Sequence, residues 1–281
     1  MGMNVSAQEN PLIQFGIIAD IQYCSCDTYG SRFYKKSLKK LEDAVNFLNE
    51  QNVQFTINLG DITDKNVNDL DSVLNRLNNL KNRVYNTPGN HDYNGITNNK
   101  VLYKKLNMPA EYYFFKKKNW VFIMLNTNEV SSYANISGTP KEQELLNALD
   151  RIKSSGGRQG AGYNGGISEK QLKWFDNLLK KSEKSGNNVL VFSHHPLYPE
   201  SGYTALNNTE ILNIIDNYSC VKAIFAGHHH AGNFVFYKNI PVVTIEGMVE
   251  TENDNAFGIV KIYSDKIVLE GKGRMSSREL K

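Results

Sequence analysis

The sequence predicts an α/β protein organised as one domain over its 281 residues. Three observations carry that expectation. Short apolar runs of strand character alternate with segments whose apolar residues recur every three or four positions, the pattern of helices with one buried face. Five of the strand-like runs end in Asp, Gln, Asn or His, and α/β sheets collect ligands beyond the carboxyl ends of their strands. No linker or internal repeat interrupts the alternation, and residues 1–12 read as a flexible N-terminal extension.

Taken in order, residues 15–19 form a strand running into Asp20-Ile21-Gln22. Tyr34, Leu38, Leu41, Val45 and Leu48 then mark a helix, and residues 55–59 a strand running into Gly60-Asp61, which completes a βαβ opening. Leu70, Leu74, Leu77 and Leu80 predict a helix over 68–81, followed by a short strand at 83–86 and the turn Thr87-Pro88-Gly89-Asn90. Lys116-Lys117-Lys118 reads as the tip of a hairpin between 113–115 and 120–125. Thr139-Pro140-Lys141-Glu142 supplies an N-cap, an N1 proline and a capping-box glutamate, and Ser168 with Gln171 repeats the logic before the next helix. The Gly-rich stretch 154–166 between these helices is expected to cover or border a cleft, a plain surface linker being the alternative. Strands follow at 189–193, 221–226, 234–237 and 242–246, with a helix on Ile211, Leu212, Ile214 and Ile215, and a closing hairpin pairs 257–263 with 266–270.

Charge is nearly balanced, 32 Lys+Arg against 29 Asp+Glu, so long-range attraction to nucleic acid or an anionic membrane is not expected, while small anionic substrates, which answer to local fields, remain open. Cys24, Cys26 and Cys220 are too few, and odd in number, for a disulfide framework, and read as buried or incidental thiols. No apolar stretch approaches the roughly 20 residues needed to span a bilayer. The start of the chain lacks a charged n-region and apolar h-region, so a cytoplasmic protein is expected. Export is the alternative if Val5-Ser6-Ala7-Gln8 remains from a cleaved signal.

All six histidines fall in Asn90-His91-Asp92, His194-His195-Pro196 and His228-His229-His230, each just beyond an apolar run. Carboxylate, amide oxygen and imidazole delivered from rigid strand ends suit Mn²⁺, Fe or Zn²⁺ better than thiolate-binding ions. His195 and His229, each next to another histidine where successive side chains diverge, read as neighbours rather than ligands.

Asp20-x-Gln22, Gly60-Asp61, Gly89-Asn90-His91-Asp92, His194 and Gly227-His228-x-His230 together resemble the five blocks of the calcineurin-like metallophosphoesterase superfamily. Within it, residues 19–23, 32–38, 164–174, 250–251, 255–258 and 271–274 resemble the manganese-dependent ADP-ribose/CDP-alcohol diphosphatases. Asp92, where that group often has Glu, and Cys24-Ser25-Cys26, in place of an acidic loop, depart from its pattern.

The resemblance implies a four-layer α/β/β/α sandwich with the metal centre at one edge. It implies two divalent ions, manganese first with iron or zinc as alternatives, one held by Asp20, Gln22, Asp61 and His230 and the other by Asp61, Asn90, His194 and His228. Asp61 bridges them, and a water shared by the ions ionises for in-line attack on phosphorus. His91 protonates or stabilises the leaving oxygen with Asp92 orienting its ring, and Arg32 and Asn164 contact substrate. From the residues themselves, Phe33, Tyr93 or Tyr198 are candidates for stacking on a base and Arg32 and Arg158 for the diphosphate of a small phosphorylated substrate, with core aromatics and solvated arginines as the alternative. The implied activity is hydrolysis of the phosphoanhydride of ADP-ribose or CDP-alcohols. The alternatives are a phosphodiesterase or phosphomonoesterase of the same fold, and, from another class, a non-catalytic interaction scaffold. A purely structural metal site fits poorly, because such sites favour Cys-rich sets.

Overall fold

The computed structural model describes residues 10–134 and 136–281. Most of the expected extension, including Val5 to Gln8, therefore lies outside the described residues. Residues 10–12 lead straight into the first strand, and the Leu12 N–H already donates to the Ile262 carbonyl at 2.7 Å.

Twelve strands form two six-stranded sheets. The first contains β1 (Ile13–Ile18), β2 (Phe55–Asn58), β3 (Arg83–Asn86), β10 (Ala256–Ile262), β11 (Ile267–Gly273) and β12 (Arg278–Leu280), in the order β12-β11-β10-β1-β2-β3. The second contains β4 (Tyr113–Lys117), β5 (Trp120–Met124), β6 (Asn188–Phe192), β7 (Val221–Ala226), β8 (Asn233–Tyr237) and β9 (Ile240–Thr244), in the order β4-β5-β6-β7-β9-β8. β1, β2 and β3 run parallel, as do β5, β6, β7 and β9, while the hairpins at the flanks are antiparallel.

Alternation along the strands explains the layering. Phe15, Phe55, Phe122, Phe192 and Phe225 point between the sheets and are fully buried there. Their rings interlock: Phe15 stacks on Phe55 at 5.0 Å between centroids, and Phe122 meets Phe55 edge-on at 5.1 Å. Burying one such ring stabilises the fold by about 1.5–3 kcal/mol. The opposite faces receive helices, as neither sheet can leave an apolar face in water. α1 (Ser37–Glu50), α2 (Leu70–Leu77) and α3 (Asn99–Lys105) cover the first sheet through Leu41, Leu48, Val73 and Leu102. α5 (Glu169–Lys184) and α6 (Asn208–Ile215) cover the second through Phe175, Leu179 and Ile211. The result is the four-layer α/β/β/α sandwich. α4 (Pro140–Ser155) sits on a smaller apolar cluster of Ala148, Ile152 and Leu206.

Local differences from the sequence expectation have local causes. α2 stops at Leu77 because the Asn49 side chain binds the backbone just beyond, donating to the Asn79 carbonyl and accepting from the Lys81 N–H. At α4 the capping box is displaced: Thr139 donates its hydroxyl to Ile136, and Glu142 accepts from the Gly138 N–H. At α5 half of it forms: Ser168 Oγ accepts from the Gln171 N–H at 3.2 Å, while the Ser168 N–H donates to Glu129 instead of to Gln171. α3 and β12, of seven and three residues, carry too little periodicity to be anticipated.

What matters for chemistry is that the carboxyl ends of β1, β2, β3, β6 and β7 arrive at one edge of the sandwich. The two sheets are joined there by His194, whose Nδ1–H donates across to the Leu59 carbonyl at 2.7 Å. Because the sandwich holds that edge together, thinning its core should be costly. Phe122→Ala removes a ring that touches Phe15, Phe55, Phe115 and Phe192 and is expected to lower stability by about 3–5 kcal/mol, measured by denaturant unfolding.

Candidate metal centre

Asp20, Gln22, Asp61 and His228 each follow a strand closely, and each adopts a left-handed backbone, with φ of 53°, 42°, 51° and 66°. Side-chain-bearing residues rarely take that conformation, which costs of order 1–3 kcal/mol and persists where the surroundings impose it. It turns successive strand ends inward. Gly89 permits the closest approach: a Cβ there would lie 2.1 Å from Asp61 Oδ1. Only glycine lets the Asn90 turn pack against Asp61.

The histidine tautomers follow from their partners. His194 donates Nδ1–H to Leu59, so in the neutral ring the lone pair is on Nε2, directed at Asn90 Oδ1 (3.2 Å), His228 Nδ1 (3.2 Å) and Asp61 Oδ2 (3.5 Å). His228 donates Nε2–H to Asn164 Oδ1 at 3.0 Å, which leaves its own lone pair on Nδ1. His230 donates Nδ1–H to Glu250 Oε1 at 2.7 Å, which leaves Nε2 facing Asp20 Oδ1 at 3.5 Å. Gln22 donates its amide N–H to Asp61 Oδ2 at 3.0 Å, and its buried Oε1 has no hydrogen-bond partner.

Two groups of side-chain acceptors therefore converge, and the hydrogens that reach them come from the Gln22 amide and the His91 backbone N–H on Asp61 and from the His228 backbone N–H on Asp20. The first is Asp20, Gln22 and His230; the second is Asn90, His194 and His228; Asp61 lies between. Buried acceptors facing one another are repulsive unless a cation lies among them, so the donor set fits a pair of divalent ions. The electrostatics agree. Burial disfavours an imidazolium at His194, but Asp61 beside it holds the ring up at about 9. His230 is likewise raised to about 9 against burial, through Asp20 and Glu250. Without an ion, a proton on Nε2 of each ring therefore supplies the positive charge facing Asp61 and Asp20, and a metal bound there would displace it.

His195 lies among these histidines, yet Nε2–H donates to the Tyr163 carbonyl (3.1 Å) and Nδ1 meets the Thr127 hydroxyl (2.9 Å), so neither nitrogen is left for an ion. Burial followed by neighbouring His194 pushes it down to about 3. It is a buried neutral histidine.

Two of the expected roles are corrected by the geometry. Asp92 does not orient His91: its Oδ1 accepts the Ile62 and Thr63 N–H groups at 2.8 and 3.0 Å and its Oδ2 the Gly89 N–H at 2.9 Å. It ties the two ligand-bearing loops together. The ring of His91 instead rests through Nδ1 on Asp64, at 2.9 Å from the carbonyl and 3.3 Å from Oδ1, which leaves Nε2 for the cleft the ring lines. Asn164 does not face substrate either. It is buried, and its amide is used by His228 and by the carbonyls of Gln159 and Gly202.

Cys24 and Cys26 are joined by a disulfide rather than being incidental thiols, and Cys24 packs on Tyr34 and Val249 two residues after Gln22. Cys220 is buried and unbonded to sulfur, as expected. Tyr93 is core and Tyr198 packs against Tyr237, so neither is open to a base. The aromatic rim is made by Tyr163 and Tyr203, 6.0 Å apart, with Tyr203 stacked on His229 at 4.4 Å.

The residues not anticipated are Asp64, Glu250 and the cations behind it. Arg274 donates to the carbonyls of Gly247 (2.6 Å) and His230 (3.2 Å), and Lys40 to those of Met248, Glu250 (2.9 Å) and Thr251 (3.0 Å). Together they fix the turn from which Glu250 orients His230. Asp64 was legible, three residues after Asp61 in the same loop; Lys40 and Arg274 carry no local signal of that use.

A cleft of about 360 Å³ opens on Gln22, Asp61, Asn90, His91 and Tyr163, and adjoins a second of about 410 Å³ bounded by Ser31, Arg274 and Glu250; both share Arg32 and Tyr203. Arg32 spans the junction, 3.8 Å from Asp64 and 3.9 Å from Glu250. A larger groove of about 630 Å³, lined by Trp120, Tyr218 and Tyr263, contains none of these ligands.

The sequence profile of the calcineurin-like phosphoesterases matches residues 13–232. The chain belongs to the calcineurin-like phosphoesterase family. It is a metal-dependent hydrolase of phosphorus–oxygen bonds. It is 32% identical to the manganese-dependent ADP-ribose/CDP-alcohol diphosphatase of Bos taurus, across 97% of this chain and 95% of that one. A dimetal phosphatase from Danio rerio superposes with a TM-score of 0.88 at 26% identity, across 96% of this chain and 99% of that one. GAP50, an inner-membrane-complex anchor of Plasmodium, shares the fold, with a TM-score of 0.57 at 15% identity across 96% of this chain and 89% of that one. Glu250 and Arg274 lie beyond the stretch that the family profile matches.

The contrasting roles of the two aspartates in this calcineurin-like phosphoesterase can be separated. Asp92→Asn sets an amide N–H against a backbone N–H and should lower stability by about 1–3 kcal/mol in denaturant unfolding. Asp64→Asn keeps the backbone carbonyl that accepts from His91 and removes only the negative charge beside the ring, so it should leave stability nearly unchanged and lower kcat by about tenfold in steady-state assays.

Proposed function

We propose that this phosphoesterase hydrolyses the phosphoanhydride of a small nucleoside diphosphate derivative, of the ADP-ribose or CDP-alcohol kind, with manganese as its cofactor. The observation that carries the reading is the pair of converging lone-pair groups at the floor of a cleft with cationic and aromatic walls. Likeness to the bovine diphosphatase over nearly the whole of both chains supports the substrate class.

Asp20, Gln22, Asp61 and His230 would hold one ion and Asp61, Asn90, His194 and His228 the other. Divalent ions so held clamp phosphoryl oxygens as charge builds and lower the pKa of a bound water. A neutral amide oxygen at Gln22 is a hard donor and favours Mn²⁺ over Zn²⁺.

The chain's own groups do the rest. His91, held through Nδ1 by Asp64, presents Nε2 to the leaving oxygen, where it gives up a proton or a hydrogen bond. Arg32, at the junction of the two clefts, meets the second phosphate through planar N–H donors. The half-exposed ring of Tyr203, backed by His229, offers a face on which a base stacks, and Tyr163 closes the other side. A cleft pair of this size suits a ligand of nucleotide dimensions.

A non-catalytic scaffold would tolerate loss of ligands, and here each side chain of the proposed set is present in the sequence, which supports hydrolysis. The decisive experiment compares ADP-ribose, CDP-choline, a cyclic nucleotide and p-nitrophenyl phosphate with the Mn²⁺-loaded protein. The two diphosphates are expected to exceed the others in kcat/KM by about tenfold or more, a transition-state difference of roughly 1.4 kcal/mol. Equal rates on all four would contradict the substrate assignment.

A further inference from the structure

The Gly-rich segment between α4 and α5 is fastened to the metal centre by one side chain. Asn164 is 2% exposed and uses its polar capacity inside the protein: Nδ2 donates to the carbonyls of Gln159 and Gly202, both at 2.8 Å, and Oδ1 accepts from His228 Nε2 at 3.0 Å. The preceding residue, Tyr163, sets its ring 5.7 Å from His228 and 6.0 Å from Tyr203, and its carbonyl accepts from His195. Between these contacts Gly157 and Gly160 rest on Ile152 of α4, and the remaining glycines are open. A Cβ at Gly156 or Gly162 would meet nothing within 4 Å, and Arg158 is exposed.

We propose that Asn164 is a positioning residue that couples ion binding at Asn90, His194 and His228 to closure of the 156–164 segment over the cleft. The inference rests on the two-ion reading above. Asn164 fixes the His228 tautomer, keeping the lone pair on Nδ1 for the ion. An ion on Nδ1 withdraws electron density from the ring, which makes Nε2–H a stronger donor to Asn164. The linkage is reciprocal: what Asn164 adds to ion affinity, the ion adds to the closed state of the segment. Closure also sets Tyr163 in place, so the aromatic wall is completed only when the ion site is filled.

The test uses the full chain stripped of metal. Mn²⁺ binding is measured by titration calorimetry, and trypsin cleavage after Arg158 is followed by mass spectrometry with and without Mn²⁺. The wild type is expected to bind two ions and to be cut at least about tenfold more slowly when loaded. Asn164→Leu should weaken one of the two ions by about 10- to 100-fold, as loss of a partner behind a ligating histidine does, and lose the protection. Asn164→Asp retains an acceptor for His228 but opposes a carboxylate to the carbonyls of Gln159 and Gly202. It should bind both ions at least as tightly as wild type and still be cut rapidly, and it decides the matter if the leucine variant does not fold. The coupling is overturned if wild type binds two ions yet is cut at one rate throughout, or if Asn164→Leu keeps both ions and the protection. It is equally overturned if Asn164→Asp loses an ion or remains protected. Wild type that binds no Mn²⁺ overturns the two-ion reading instead.

Discussion

Buried lone pairs aimed at one another are the constraint on which this structure turns. At Asp20, Gln22, Asp61, Asn90, His194, His228 and His230, burial removes the water that would otherwise solvate the acceptors. Hydrogen bonds made on the far side of each ring commit its second nitrogen to the site. Such an arrangement is costly to fold without a cation and favourable with one, because the N–H groups that reach Asp20 and Asp61 offset only part of the cost of burying two carboxylates. The fit for a cation thus lies in the hydrogen bonds behind these side chains as much as in the side chains themselves.

The sandwich exists in a form that can carry that cost. Two sheets locked by interleaved phenylalanines deliver strand ends from both layers to one edge, and His194 bonded to Leu59 joins the layers where the charges gather. Left-handed residues at the ends of the strands aim the side chains inward. Asp92, Lys40 and Arg274 then bind backbone groups, so that loops otherwise free to relax away from the mutual repulsion are held. Rigid elements in the core and ionic ties at the rim act on the same few residues.

Much of this was legible in the sequence because ligand residues sit next to strand ends, where adjacency in sequence becomes adjacency in space. The strands, the long amphipathic helices and the gathering of the Asp, Gln, Asn and His blocks at one edge follow from periodicity and motif. What periodicity could not show is which polar side chain stands behind which ring. Asp92 neighbours His91 in sequence, but its backbone leads it into the opposing loop, and Asp64, farther away in the chain, reaches the ring instead. Asn164 belongs to a glycine-rich run that reads as surface, yet is buried against His228. The bond between Cys24 and Cys26 escaped a count that looked for frameworks rather than for one local bridge. Short elements such as α3 depend on side-chain capping, here by Asn98, more than on any repeating pattern.

The account stands or falls on the number and position of the ions. Anomalous scattering recorded at the manganese edge from crystals grown with Mn²⁺ measures both. Two peaks are predicted, one against Asp20, Gln22 and His230 and one against Asn90, His194 and His228, with Asp61 touching both. A single peak, or peaks away from these side chains, would contradict it.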